Sequence, residues 1–294
     1  MTKVLFVGEI NVDVMMGGME TPPIVDREVP CKTYEVVMGG STMISACTYS
    51  MLGGDTYFAG LAGNDDYGEY MLRGMHEFRL NTDRVQRSTK VRTGVTVNMI
   101  SGNTRTQATY PGTIEEYDGA GLEEASLAGL NHIHFAGVYL ETNLQPRIRC
   151  VLETARRLGM TSSLDPQWDA SERWEHMDEW LPLVTYLFVN SDEAASITKE
   201  ATPEAALRAL AGRTALPLVK LGRDGALVLS GGEPVQVRGK TVQPVDTTGA
   251  GDTFDSGFLY ATLEKKMPLV EAVRFANAAA ARSCLFVGGT SARS

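Results

Sequence analysis

The residues best suited to chemistry are the nine at positions 246–254, Asp246-Thr247-Thr248-Gly249-Ala250-Gly251-Asp252-Thr253-Phe254. Phe254, Phe258 and Ala261 then recur at helical spacing, which predicts a helix starting near Gly251. Gly249 and Gly251 let the backbone approach a ligand with no Cβ in the way. Amides at a helix start converge on a point that carries roughly half a positive charge. Gly249, Ala250 and Gly251 are therefore a candidate anion hole. Asp252, in the first turn, can take a proton from an attacking hydroxyl while the amides hold a phosphoryl group. The helix dipole is expected to keep Asp252 ionised and weakly basic. Phosphoryl transfer tolerates a weak base because it depends mainly on positioning and charge stabilisation. The plainer reading of Gly-x-Gly-Asp is a capped helix after a glycine turn; the nine-residue string is more specific than that.

The elements that must position these residues read as alternating strands and helices. Apolar runs at 4–7, 56–59, 133–135, 162–164, 187–189 and 216–220 are interleaved with helical stretches, among them 41–52 and 67–78. That alternation predicts an α/β fold, a parallel sheet with helices on both faces, whose ligands sit at the carboxyl ends of the strands. Two segments break it. Residues 92–110 place Val95, Val97 and Met99 in alternation with polar residues, then Ser-Gly-Asn-Thr, then more alternation, a hairpin signature. Residues 13–35 are irregular and hold Pro22, Pro23 and Pro30. Together they predict a small β-rich lid on a single α/β domain over residues 1–294; an ordinary edge hairpin is the alternative.

The whole chain narrows the function classes. It has 294 residues, 43% of them hydrophobic, and a formal net charge of −9. A basic face for nucleic acid is not expected, whereas a nucleotide needs only a local positive field. Cys31, Cys47, Cys150 and Cys284 are scattered, with no Cys-x-x-Cys pair to suggest structural zinc. The N-terminal apolar run is short and soon meets Gly8, Glu9 and Asn11, so it reads as a strand rather than a leader. No run of 18 apolar residues suggests a membrane span, and a cytoplasmic protein is expected.

The 246–254 string resembles the C-terminal signature of the ribokinase-like (PfkB) carbohydrate kinases. The resemblance extends along nearly the whole chain. Gly39-Gly40 before a helix is similar to the family's N-terminal signature. Gly63-Asn64-Asp65-Asp66-Tyr67-Gly68 is similar to its Gly-x-Asp-x-x-Gly, and Asn190-Ser191-Asp192-Glu193 to its Asn-x-x-Glu. Lys220-Leu221-Gly222-Arg223-Asp224-Gly225 is similar to a turn on the nucleotide side. The resemblance implies MgATP as phosphoryl donor, Asp252 as catalytic base and the Gly249–Gly251 turn as anion hole. It further implies Asn190, Gly222 and Gly225 near the nucleotide and Glu193 on Mg2+ through water. Asn277 would lie near the adenine, or simply pack. Asp246 and Thr248 would hold a monovalent cation such as K+, or else form and cap the turn. A homodimer, if one forms, is expected through the lid.

On the acceptor side the resemblance points to Asn11 and Asp13 after the first strand, to Gly39 and Gly40, and to Glu141 as an acidic sugar contact. Turn and helix caps are the plainer roles of Asp13 and Glu141. The sequence departs from the family at Ile44, where an asparagine commonly touches the sugar. Isoleucine cannot hydrogen-bond, so ribose is expected to be a poor acceptor unless Ile44 is turned into the core. Gln167, in Asp165-Pro166-Gln167, also replaces a common asparagine. The function expected is ATP-dependent phosphorylation of a hydroxyl on a sugar-like molecule. The alternatives are a nucleoside or phosphosugar kinase, for which Lys32 and Arg105 are the basic candidates, and a non-catalytic sugar- or nucleotide-binding regulator. A dinucleotide fold lacks its Gly-x-Gly-x-x-Gly, and at Gly239-Lys240-Thr241 a phosphate loop would need glycine where Pro234 stands.

Overall fold

A computed structural model describes residues 1–102 and 104–290; Asn103, at the tip of the expected hairpin, lies outside the described residues. Thirteen strands alternate with helices. They are β1 (Lys3–Val7), β2 (Asn11–Gly17), β3 (Thr33–Gly39), β4 (Asp55–Gly63), β5 (Asn81–Ser88), β6 (Gly94–Ser101), β7 (Thr104–Tyr110), β8 (His132–Ala136), β9 (Thr161–Asp165), β10 (Tyr186–Asn190), β11 (Leu216–Lys220), β12 (Ala226–Ser230) and β13 (Glu233–Val237). Nine form one sheet in the order β13-β12-β11-β10-β9-β8-β1-β4-β5. Its pairs from β11 to β5 are parallel, and only β12 and β13 run antiparallel at one edge.

This sheet is apolar on both faces, as a parallel sheet covered by helices must be. In β1 the side chains alternate between two cores: Leu5 and Val7 join one, Val4 and Phe6 the other. The first core takes Ile148, Val151 and Leu152 from the helix Gln145–Arg157 and Leu207 and Leu210 from Pro203–Ala211. The second takes Met43 and Cys47 from the helix Ser41–Met51, Phe254 and Phe258 from Ala250–Leu263, and Val273 and Ala276 from Leu269–Ser283. The last two helices pack closely because Gly257 has no side chain; a Cβ there would lie 3.1 Å from Ala276 Cα.

The other four strands form the lid sheet, β3-β2-β6-β7. Its β2–β6 pair is parallel and the two outer pairs are antiparallel. β7 is exposed along its whole length. The Gly63–Gly68 motif ties lid to body: Asp65 accepts from Gly68 N, Thr93 N and Thr93 Oγ1, each at 2.8 Å, just ahead of β6. Among the described residues no helix is long and apolar enough to cross a membrane.

Candidate active site

A cavity of about 990 Å³ lies between the lid and the carboxyl ends of the body strands, and Asn11, Asp13 and Asp252 all line it. β2 leaves the body three residues after β1 and carries Asn11 and Asp13 to the cavity. Asn11 Nδ2 donates to Asp13 Oδ1 at 2.9 Å and to Thr96 Oγ1 at 3.2 Å. Asn11 Oδ1 is buried with no partner among the described residues. Burial raises the Asp13 carboxyl to about 6, against the opposing pull of Arg105 and Asn11.

The glycine pair exists to make room for two carboxylates. A Cβ on Gly39 would lie 2.3 Å from Asp13 Cγ, and one on Gly40 would lie 2.9 Å from Glu9 Cγ. Glu9 in turn caps the helix Ser41–Met51: its Oε1 accepts from Ser41 N at 2.5 Å, and its Oε2 lies 3.1 Å from Thr42 Oγ1. Burial raises its carboxyl to about 7 despite those hydrogen bonds.

The 246–254 segment folds as a turn and a helix start. Gly249 is left-handed at φ 74 and begins the helix Ala250–Leu263. The first i→i−4 bond runs from Thr253 N to Gly249 O, so the Gly251 and Asp252 amides ahead of it have no intrahelical acceptor. The Ala250 amide, expected in the anion hole, is instead spent on Thr247 O at 3.2 Å within the turn. Asp246 locks the turn by accepting from Thr248 N, Thr248 Oγ1 and, through its other oxygen, Gly288 N. Ser45 Oγ donates to Asp252 O and Ser256 Oγ to Ser45 O, which fastens the helix after Gly40 to the helix of Asp252.

Asp252 is 5% exposed. Burial pushes its carboxyl well above the ordinary carboxylate range, with Asp165 and Glu9 adding to the effect and Lys220 opposing it. Loss of hydration thus works against the ionised form that the helix end favours. Beside it lies an ion cluster that sequence reasoning left without a role. Lys220 Nζ is 2.6 Å from Asp165 Oδ2 and 3.3 Å from Asp255 Oδ1. Burial works against the Lys220 ammonium, but the two aspartates hold it protonated. A Cβ on Gly251 would sit 3.3 Å from Lys220 Nζ, so the ammonium lies next to the turn. The available signal was Asp255, an acid one turn beyond Asp252 on an otherwise apolar helix.

Other expected residues have different surroundings. Glu141 is fully buried, with neither carboxylate oxygen partnered among the described residues, and is absent from the cavity wall. Burial and neighbouring Glu9 raise its pKa well above the usual range. Asn190 and Glu193 form a reciprocal cap: Asn190 Oδ1 accepts from Asp192 N and Glu193 N, and Glu193 Oε2 from Asn190 N. Burial raises Glu193 to about 7, with Asp165 adding to the effect. Asn277 Nδ2 donates to Val237 O at 2.8 Å, a packing role that holds β13 to the last helix. Gly222 and Gly225 shape the turn after β11, at φ 57 and 95. Thr248 Oγ1 donates to Asp246 and accepts from Arg105 Nη1 at 2.8 Å. Ile44 is 3% exposed yet reaches the cavity wall, wedged under Gly249 and Gly289. Lys32 pairs with Glu20 on the surface and does not itself line the cavity, although adjacent Thr33 does.

Comparison with known proteins agrees with this architecture. The pfkB family carbohydrate kinase profile matches residues 1–293. The chain is 26% identical over 294 residues to the ATP-dependent 6-phosphofructokinase of Thermoanaerobacterium thermosaccharolyticum, covering 97% of this chain and 88% of that one. It is likewise 26% identical to the ribokinase of Bacillus subtilis over 97% of this chain and 94% of that one. A crystal structure described as a putative ribokinase II from E. coli superposes with a TM-score of 0.89 at 21% identity, covering 100% of this chain and 96% of that one. A match that runs the length of the chain, with the same sheet and lid, makes this chain a member of the pfkB family: an ATP-dependent carbohydrate kinase with a ribokinase-like fold.

Proposed function

We propose that the protein transfers the γ-phosphoryl group of ATP to a hydroxyl of a neutral, sugar-like acceptor bound between Asn11, Asp13 and Asp252. The observation that carries this reading is the shared cavity, lined by buried Asp252 from the body and by Asn11 and Asp13 from the lid. Asp252 takes the proton of the acceptor hydroxyl, and the free Gly251 and Asp252 amides receive charge that develops on the transferring group. Asp13 and Asn11 orient the acceptor through its other hydroxyls. Glu193 has one oxygen committed to Asn190 and is 3% exposed, which suits a water-mediated contact to Mg2+ held mainly by phosphates. When bound, that ion neutralises phosphate charge. Asp246 is the better ligand for a monovalent cation: burial opposes its ionisation, but bonds from Gly288 and Thr248 hold its carboxyl below the usual range.

Charge decides between neutral and phosphorylated acceptors. Arg105 is the one cation among the described wall residues, against Glu9, Asp13, Glu35, Asp246 and Asp252. Its charge already faces Asp13 and Asp246. A sugar phosphate would meet more carboxylate than guanidinium, whereas hydroxyl donors satisfy carboxylates directly. Ile44 adds an apolar patch, so the acceptor has an apolar edge and ribose is a poor one. The test is ATP consumption with neutral sugars, deoxy sugars, cyclic polyols, nucleosides and sugar phosphates. A neutral, non-ribose acceptor is expected to have the highest kcat/KM; preference for a sugar phosphate or for ribose would overturn the reading.

A further inference from the structure

We propose that Gln167 is a positioning residue that holds the Asp252 carboxylate in its working orientation; this rests on Asp252 being the base. Gln167 Nε2 lies 3.2 Å from Asp252 Oδ1 and 3.3 Å from Asp165 Oδ2. Carboxylates accept only, so the side-chain amide presents its two N–H groups to the pair, one to each. Its backbone N–H donates to Asp165 Oδ1 at 3.2 Å, and Asp165 is fixed by Lys220. A chain of contacts thus runs from the buried ammonium through Asp165 and Gln167 to the base.

The backbone is built for this reach. Gln167 has φ 59, and Glu172, Trp174 and His176 in the same loop are also positive. Such conformations are costly for non-glycine residues and persist only where the surroundings over-determine them. Here buried Asp169 accepts from Ser171 N, Ser171 Oγ and Trp174 N, while Trp174 Nε1 donates to Ser196 Oγ at 2.7 Å. The loop is clamped, and the clamp aims Gln167 across the cavity floor.

With Oδ1 engaged by Gln167, Oδ2 faces the acceptor. The hydroxyl gives its proton to Oδ2 as its oxygen bonds to the γ-phosphorus, and the bond from that phosphorus to the β,γ-bridging oxygen breaks with its electron pair leaving on ADP. The groups facing Asp252 are Asp165 on β9, Lys220 on β11, Glu9 after β1, Ser41 on the first helix and Asp255 one turn along its own helix. Gln167 and Ser41 are the neutral side chains among them that bond the carboxylate and line the cavity, and Gln167 alone of the two also bonds Asp165.

Gln167→Leu removes both donors, and Gln167→Asn falls one methylene short of spanning the two carboxylates; the second carries the test if the first does not fold. With the best acceptor of the panel, kcat is expected to fall about 10–100-fold, the worth of a hydrogen bond to a charged group, with the KM for ATP unchanged. The acidic limb of the kcat–pH profile moves to higher pH, because the lost bond had favoured ionised Asp252. A lower melting temperature and higher acceptor KM with the limb unmoved would mean that Gln167 only shapes the loop, and would overturn the proposal, as would wild-type kcat in both variants. Asp252→Asn measured alongside separates the two readings. Retained turnover there means the base is misassigned; lost turnover with an unmoved limb in the Gln167 variants refutes the positioning role alone.

Discussion

Strands β1 and β2 lie three residues apart in the chain and serve opposite purposes. β1 runs through the middle of the body sheet with Val4, Leu5, Phe6 and Val7 buried on its two faces. β2 begins the lid, and its buried positions include Asn11 and Asp13, one of them with an unsatisfied oxygen. Burial in β1 is complete and apolar. Burial in β2 is mixed: Val12 and Met15 are buried beside Asn11 and Asp13, and an unpaired buried acceptor such as Asn11 Oδ1 costs roughly 1–3 kcal/mol while nothing donates to it. The difference teaches where each region stores its information: the body in packing, which fixes the Asp252 turn, and the lid in unmet hydrogen bonds, which select the acceptor.

The contrast can be broken most severely at Ile44, where the body reaches the cavity. Ile44→Asn places an amide under Gly249 and Gly289 and is expected to destabilise the fold by roughly 2–5 kcal/mol, read by denaturant unfolding. A small stability change with altered preference among sugars would show instead that Ile44 is only a pocket wall.

Two glycines sharpen the comparison. A Cβ on Gly60, in body strand β4, would lie 2.5 Å from the backbone oxygen of Gly8, whereas the three atoms nearest one on Gly39 in the lid all belong to the Asp13 side chain. Gly60→Ala should cost about 1–3 kcal/mol of stability. Gly39→Ala should leave stability nearly unchanged and raise the acceptor KM about tenfold by turning Asp13 away, equivalent to one lost hydrogen bond. Melting curves and acceptor titrations distinguish the two; a shared stability loss would erase the difference.

The smallest effect is expected at the latch. Arg105 of β7 bonds Thr248 of the body. Arg105→Gln should loosen closure, admit water and raise the ratio of ATP hydrolysis to acceptor phosphorylation about twofold to fivefold, of the order of a surface contact worth up to about 1 kcal/mol. An unchanged ratio would remove Arg105 from the closure mechanism.

Much of the fold was legible in the residues. The apolar runs and the helix start after Gly249 carry their own periodicity, and the alternating hairpin at 94–110 carries its own. Sequence could not show that β2 departs from the body sheet at Asn11, because three residues of Gly8, Glu9 and Ile10 carry no turn signature that distinguishes a crossover from a continued strand. Within the site, Asp13 and Asp252 follow from position at a strand end and a helix start. The burial of Glu141 was not legible, because a carboxylate after a strand reads as surface chemistry and only packing shows it fully buried. Gln167 showed only as a replaced asparagine and Lys220 only as part of a turn, because their contacts reach partners far away in the chain, Asp252 for Gln167 and Asp165 and Asp255 for Lys220.

The central claim is that Asp252 is the base. Its most direct test compares Asp252→Asn with the unaltered protein, measuring ATP binding by calorimetry and turnover on the best acceptor. The account predicts unchanged ATP affinity and a kcat lower by roughly 10²–10⁴-fold. Near wild-type turnover with that acceptor would contradict it.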